Sequence, residues 1–173
     1  MKNLKSIFLE SNDNFLDKEI DLIKNDLSER SICSKLGQYL KVEIDKKEEF
    51  KKYHIDAEYN RNYGEIKTIL DENEEIIKIT CDLIMHSRGE LKNDNLIALE
   101  MKKSSRPNKE KISDKKRLIE LTNPANRSNI KHVKTYSLGI YYEININIRE
   151  ILLEFYIGGE KIDKQILDIS KLF

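Results

Sequence analysis

Apolar residues recur every three or four positions near the start of the chain, the spacing of one helix face. This pattern predicts a first helix near residues 15–26, with Phe15 or Leu16, Ile20, Ile23 and Leu27 on its apolar side. A second helix is predicted from Ser28 or Ser31, both good N-cap residues, to about residue 42. Its apolar face carries Ile32, Cys33, Leu36, Tyr39 and Leu40.

Alternating apolar and polar residues predict strands in much of the remaining chain. The predicted strands cover residues 53–59, 77–86, 96–102, 136–148 and 151–157, and a charged helix lies near 107–122. Residues 136–148 form either one long strand or two strands broken near Asn145–Asn147, while residues 65–76 are ambiguous. The order ααβ(β)βαββ predicts one α/β domain over residues 1–173, a mixed sheet flanked by helices, with the N-terminal helical region 1–27 added to the core.

The composition is typical of a globular, soluble protein. Of the 173 residues, 36% are charged and 39% hydrophobic. No apolar run approaches the roughly 20 residues of a membrane span. Cys33 and Cys81 fall in apolar patterns, which indicates buried thiols in a reducing compartment. We therefore expect a cytoplasmic protein without a membrane partner.

Positive charge is concentrated in one segment, although the formal net charge is zero. From Lys102 to Lys134 there are eleven Lys and Arg residues and three acids. Such asymmetry is typical of a surface that binds phosphates, and a solvated lysine-rich helix is the alternative. The predicted nucleic-acid contacts are Lys103, Arg106, Lys115, Lys116 and Arg117, joined by Arg61 and Arg88.

Three ionised residues interrupt two strands that are otherwise apolar: Asp82, Glu100 and Lys102. Burying a charge is costly unless it is paired or binds a metal. Glu100 and Lys102 stand two residues apart and share a face, and a hairpin would bring Asp82 opposite Glu100. Two carboxylates, a backbone carbonyl and water suit Mg²⁺ or Mn²⁺. The alternative is a cross-strand ion pair on an exposed sheet face.

Glu29 lies on the same side of the second predicted helix as Cys33 and Leu36. An acid at this end of a helix is stabilised by the helix dipole. The alternative is that Glu29 reaches a cation, which would make it a fourth member of the site.

These residues together resemble the PD-(D/E)xK nuclease superfamily, whose fold is restriction-endonuclease-like. Cys81-Asp82 stands at the Pro-Asp position, with Cys in place of Pro, and Glu100-Met101-Lys102 forms the second half of the motif. Glu29 matches the helical Glu of many members. The segments Glu58-Tyr59-Asn60-Arg61 and Asp82-Leu83-Ile84-Met85-His86-Ser87-Arg88-Gly89 resemble small bacterial members, and the likeness covers about residues 28–145.

The resemblance implies an ααβββαββ core and a metal-dependent nuclease. It implies Asp82, Glu100, Lys102 and Glu29 as catalytic residues, and Asp82, Glu100, Glu29 and the Met101 carbonyl as ligands of Mg²⁺, with Mn²⁺ as a substitute. DNA is favoured over RNA as the substrate, in a defence, restriction or repair setting. At this size we expect no separate domain for reading sequence, and therefore either low sequence specificity or a homodimer or partner subunit that chooses the target. The alternatives are a nuclease-fold protein that binds without cutting and a nuclease directed at RNA.

Overall fold

The computed structural model describes residues 4–57, 61–62, 65–66, 68–70, 76–78, 81–125 and 135–173. Side chains are described in 4–57, 81–125 and 135–173. The helices are α1 (Leu4–Lys24), α2 (Glu29–Asp45) and α3 (Asn108–Thr122), with short 3₁₀ turns at Glu48–Phe50 and Ser170–Leu172. The strands are β1 (His54–Ala57), β2 (Arg61–Asn62), β3 (Glu65–Ile66), β4 (Thr68–Leu70), β5 (Ile76–Lys78), β6 (Leu83–His86), β7 (Asn95–Lys103), β8 (Leu138–Asn145), β9 (Glu150–Ile157) and β10 (Glu160–Asp168).

Six of these strands form one sheet in the order β1-β6-β7-β8-β9-β10. β7 and β8 pair in parallel, and the other neighbours pair antiparallel. The connection between the two parallel strands contains α3, as a parallel pair requires a crossover. The remaining short strands pair as β2–β3 and β4–β5. The prediction of an α/β protein with a mixed sheet is therefore confirmed.

The main hydrophobic core lies between the sheet and the first two helices. Phe8 of α1 makes edge-to-face contacts with Tyr142 and Phe155, with ring centroids 6.5 and 6.3 Å apart. Alternate residues of the central strands point to this face, because successive side chains of a strand point to opposite sides. They include Leu83, Met85, Ile97, Leu99, Met101, Ile140, Tyr142, Ile144, Leu153 and Phe155.

The opposite face of the sheet is covered by α3 and has a smaller apolar cluster. Leu118 and Leu121 of α3 belong to the same buried cluster as Ile84, Ala98 and Tyr141. Charged side chains of the neighbouring strands also point to this face, so α3 covers a surface that is partly apolar and partly ionic. The candidate site therefore lies beside α3.

Three predicted elements differ from the structure. α1 begins at Leu4 rather than near residue 15, because Leu4, Ile7 and Phe8 extend its buried face by three turns. The predicted strand 77–86 was wrong: β5 ends at Lys78 and pairs in another sheet, whereas β6 begins at Leu83. The sequence did not predict β10.

In the segment 136–148 the strand ends near the predicted break, but residues 146–148 form a turn rather than the second strand of the broken alternative. β8 ends at Asn145, and Arg149 adopts a positive φ of 54° before β9 begins. None of the helices in the described ranges has the length and apolar character that crossing a bilayer requires.

Candidate active site

Asp82 and Glu100 are brought together by the antiparallel pairing of β6 with β7. Leu83 is opposite Leu99 in this register, so the preceding residue, Asp82, lies beside Glu100. The Asp82 carboxylate Oδ2 accepts a hydrogen bond from the backbone N–H of Met101 at 2.7 Å. Burial raises the pKa of Asp82, and although this hydrogen bond and Lys102 oppose the rise, the carboxylates of Asp114 and Glu29 add to it.

Glu100 is an acid in the middle of the protein, with only 1% of its surface exposed. Its Oε1 lies 2.6 Å from Nη1 of Arg117 on α3. Burial raises the pKa of Glu100 to about 8, because the Arg117 guanidinium offsets only part of the loss of hydration and the Asp82 and Asp114 carboxylates repel a further negative charge. A second positive charge beside Glu100 would stabilise its ionised form.

Lys102 points to the same side of the sheet and meets a second acid of α3. Its Nζ lies 3.0 Å from Oδ2 of Asp114 and 3.4 Å from the carbonyl oxygen of Met101. Although burial acts to lower it, the pKa of Lys102 is raised by Asp114, Asp82 and Glu100. Lys102 is therefore an ammonium ion at neutral pH and donates hydrogen bonds.

Glu29, in the first turn of α2, contacts the C-terminal end of β7. That turn is fixed by Ser28, whose hydroxyl accepts the N–H of Ser31 as predicted for an N-cap. The Oε1 of Glu29 accepts hydrogen bonds from the N–H of Lys103 at 2.8 Å and from Nε of Arg106 at 3.0 Å. Although burial acts in the opposite direction, these partners lower the pKa of Glu29. Glu29 thus anchors α2 to the strand that carries Glu100 and Lys102.

The available metal ligands are hard oxygen atoms. Among the side chains of 4–57, 81–125 and 135–173, no three from His, Cys, Asp and Glu are grouped so as to hold a metal ion. The donor set here is smaller, two carboxylates and the Met101 carbonyl, and it fits Mg²⁺ or Mn²⁺ by chemical type. Burial is the main cause of the raised pKa values of Asp82 and Glu100, and the positive charges of Lys102 and Arg117 offset it only in part. Both oxygen atoms of Glu29 accept hydrogen bonds from the Arg106 guanidinium, so its predicted part in metal binding stays a prediction.

Several predicted phosphate contacts form ion pairs within the protein. Arg117 pairs with Glu100 and Asp114, at 2.6 and 3.3 Å. Lys115 pairs with Glu154 of β9 at 2.9 Å and lies over the ring of Tyr141, 4.4 Å from its centroid. The side chain of Lys116 is exposed.

Three more of the basic residues predicted to contact phosphate form ion pairs with acidic side chains of the protein. Arg106 is 52% exposed and pairs with Glu29, and Lys103 pairs with Asp26 at 2.7 Å. Arg88 donates two hydrogen bonds to Asp56. Arg88 follows the last residue of β6, whereas Asp82 precedes the first, so Arg88 lies at the other end of that strand. Arg61 begins β2, but its side chain lies outside the described residues, as do Glu58 and the basic stretch 126–134.

Asp114 was missed because α3 was interpreted as a basic helix that contacts phosphates or solvent. It is 4% exposed and points towards β7, where it contacts Lys102 and Arg117. The signal was present in the helical spacing, because Asp114 stands four residues before Leu118 and seven before Leu121, the two buried leucines of α3. An acid on that stripe needs a buried positive partner.

No family model matches the sequence, and comparisons with curated proteins and with solved structures found no significant match. The likeness to PD-(D/E)xK nucleases stays a prediction that rests on the residues quoted above.

Proposed function

We propose that this protein is a metal-dependent nuclease that hydrolyses phosphodiester bonds, with DNA favoured over RNA, and that its sheet is a restriction-endonuclease-like core. The observation that carries the proposal is the grouping of Asp82, Glu100 and Lys102 on adjacent strands, with Asp82 tied to the backbone of β7. An exposed cross-strand ion pair is a poorer account, because Glu100 is buried and Lys102 pairs with α3 instead.

Asp82, Glu100 and the Met101 carbonyl would hold the divalent ion. A bound Mg²⁺ or Mn²⁺ supplies positive charge for the phosphate and acidifies a water molecule. Lys102, as an ammonium ion, would orient that water and stabilise negative charge on the phosphate. It would not act as the base, since its pKa is raised by the carboxylates around it. Glu29 would hold α2 against β7 by accepting a hydrogen bond from the N–H of Lys103.

A non-cleaving binding protein is the second candidate. The observation that favours it is the ionic network between α3 and the sheet, in which Glu100 already pairs with Arg117 and Lys102 with Asp114. A charge network of this kind could be purely structural. The same network is compatible with catalysis if a divalent cation displaces the basic partner.

Cleavage assays separate these functions. The protein is incubated with supercoiled plasmid, linear DNA and RNA, in Mg²⁺, in Mn²⁺ and in EDTA. We expect DNA to be cut in either metal and not in EDTA. Cleavage of RNA alone would favour the RNA-directed alternative, and binding without cleavage in either metal would favour the non-cleaving one.

A further inference from the structure

One guanidinium group, that of Arg117, forms ion pairs with two buried acids at the proposed metal site. Arg117 Nη1 lies 2.6 Å from Glu100 and 3.3 Å from Asp114, and the two acids are 1% and 4% exposed. Arg117 is held by α3, whereas Glu100 is held by β7. The contact therefore joins a helix to the strand on which the proposed chemistry depends.

A divalent cation and the guanidinium cannot both stay on Glu100 without opposing one another. The Oε1 atom of Glu100 already accepts a short charge-assisted hydrogen bond from Arg117. Placing a second cation on the same carboxylate would set positive charges close together where little water screens them. Each of the two partners therefore weakens the binding of the other to Glu100.

Asp114 gives Arg117 a place to withdraw to. It stands three residues before Arg117 on the same helix, and its Oδ1 is already in contact with the guanidinium. Its other oxygen contacts Lys102. Arg117 can thus leave Glu100 without losing every acidic partner.

We propose that Arg117 is an internal competitor of the divalent cation: it occupies Glu100 in the metal-free protein and moves to Asp114 when the cation binds. This inference rests on the proposed function, because it requires the cation to bind at Asp82 and Glu100. Arg117 is then a positioning residue that keeps Glu100 in place and weakens metal binding. Its removal makes the metal bind more tightly, whereas removal of a phosphate contact would leave metal binding in the absence of nucleic acid unchanged.

The experiment measures Mn²⁺ binding directly, by calorimetry and by the electron paramagnetic resonance signal of free Mn²⁺, without nucleic acid. The full chain is compared with Arg117→Gln and with Lys115→Gln. Lys115 is the matched control, because it belongs to the same helix and pairs with Glu154 rather than with an acid of the proposed metal site. We expect Arg117→Gln to bind Mn²⁺ at least about tenfold more tightly, the effect of removing one charge-assisted hydrogen bond, and Lys115→Gln to bind like the wild type.

Folding is followed in the same samples by circular dichroism, since Arg117→Gln leaves Glu100 without its guanidinium partner. If Arg117→Gln folds only when Mn²⁺ is added, the cation has replaced the guanidinium and the proposal is supported. If it stays unfolded, Arg117→Lys is measured instead, and its shorter ammonium should also allow tighter binding than the wild type.

Two negative results have different meanings. Equal or weaker Mn²⁺ binding by the folded variant overturns the role of Arg117 and leaves the proposed nuclease standing. An absence of Mn²⁺ binding in the wild type and in every folded variant overturns the inference together with the metal-dependent function.

Discussion

The Lys102 ammonium lies 3.0 Å from the Asp114 carboxylate, so α3 holds the side chain that completes the Glu-x-Lys motif. This contact explains why Lys102 stays charged inside the protein, although burial alone would lower its pKa. Through this contact α3 positions a residue of the candidate site, which is a different role from the predicted contact with phosphates.

Asp114→Asn should therefore slow cleavage without removing any group from the proposed reaction centre. The amide oxygen can still accept a hydrogen bond but carries no charge, so the attraction that holds the Lys102 ammonium in position is weakened. We expect the single-turnover rate of cleavage to fall about 10- to 100-fold, as is usual when a partner of a site residue is removed. The control is Glu110→Gln, which neutralises an exposed acid of the same helix. Equal rates for wild type and Asp114→Asn would contradict the positioning role.

Gly37→Ala should destabilise the fold although alanine favours helices. A Cβ atom at Gly37 of α2 would lie 2.7 Å from Cδ1 of the buried Leu83, closer than real Cβ contacts, and 3.2 Å from Cγ2 of Ile55, tighter than most of them. We expect a loss of about 1–3 kcal/mol in the free energy of unfolding, measured by urea denaturation. Ser34→Ala, on the exposed side of α2, should change it by less than about 0.5 kcal/mol. A more stable Gly37→Ala protein would show that α2 does not approach β6 so closely.

The turn between the two site strands should make stability sensitive to acid through Asp94. The Asp94 Oδ1 accepts hydrogen bonds from the N–H and hydroxyl of Ser87 and from the N–H of Gly89, at 3.0, 2.7 and 2.9 Å. Although burial opposes them, these bonds lower the pKa of Asp94. Their contribution is therefore complete above the unfolded pKa of about 3.9 and is lost as pH falls through the folded value.

Asp94→Asn should cost about 1–3 kcal/mol in the free energy of unfolding at pH 7, because an amide does not replace an ionised acceptor of three hydrogen bonds. The difference in the free energy of unfolding between wild type and Asp94→Asn should decrease as the pH falls below about 4. Urea unfolding at several pH values measures it, with Glu90→Gln in the same turn as the control. A gap that is constant with pH would mean that the ionised carboxylate is not what stabilises the turn.

Nucleic-acid binding should depend on the exposed lysines of α3 rather than on those that pair with the sheet. Lys109 and Lys116 are exposed and stand two turns apart on one side of the helix. Reversing either charge should weaken DNA binding and reduce the slope of log affinity against log salt by about 1. Lys115→Gln should leave the slope unchanged, because Lys115 already pairs with Glu154. If Lys115→Gln changes the slope as much as Lys116→Glu, the distinction between exposed lysines that bind DNA and lysines that pair with the sheet is wrong.

The hairpin that carries the candidate site was predictable because its signal is local. Apolar residues flank Asp82 and Glu100 along β6 and β7, and a polar turn separates the two strands, so the sequence indicates both the pairing and the shared face. The start of α1 was hidden, because the buried polar residues Ser11 and Asn12 interrupt the apolar spacing. β10 was hidden for another reason: it is an edge strand whose charged residues fall on both faces.

The partners of the site residues were not predictable from local spacing. Arg117 and Glu100 are brought together by the crossover from β7 through α3 to β8, which no short pattern encodes. A run of charges along a helix resembles a solvated face whether its partners are water or the acids of a sheet. The buried stripe of Leu118 and Leu121 was the available clue, and it marks Asp114 as an inward residue.

The most direct test of the central claim compares metal-dependent DNA cleavage by wild type, Glu100→Gln and Glu154→Gln. Both substitutions neutralise a buried acid that pairs with a base of α3, but only Glu100 belongs to the proposed metal site. We predict cleavage by the wild type in Mg²⁺ or Mn²⁺ and none in EDTA, a loss of at least about 100-fold in Glu100→Gln, and wild-type cleavage in Glu154→Gln. Cleavage that survives Glu100→Gln, or a wild type that cuts no substrate in either metal, would contradict the account.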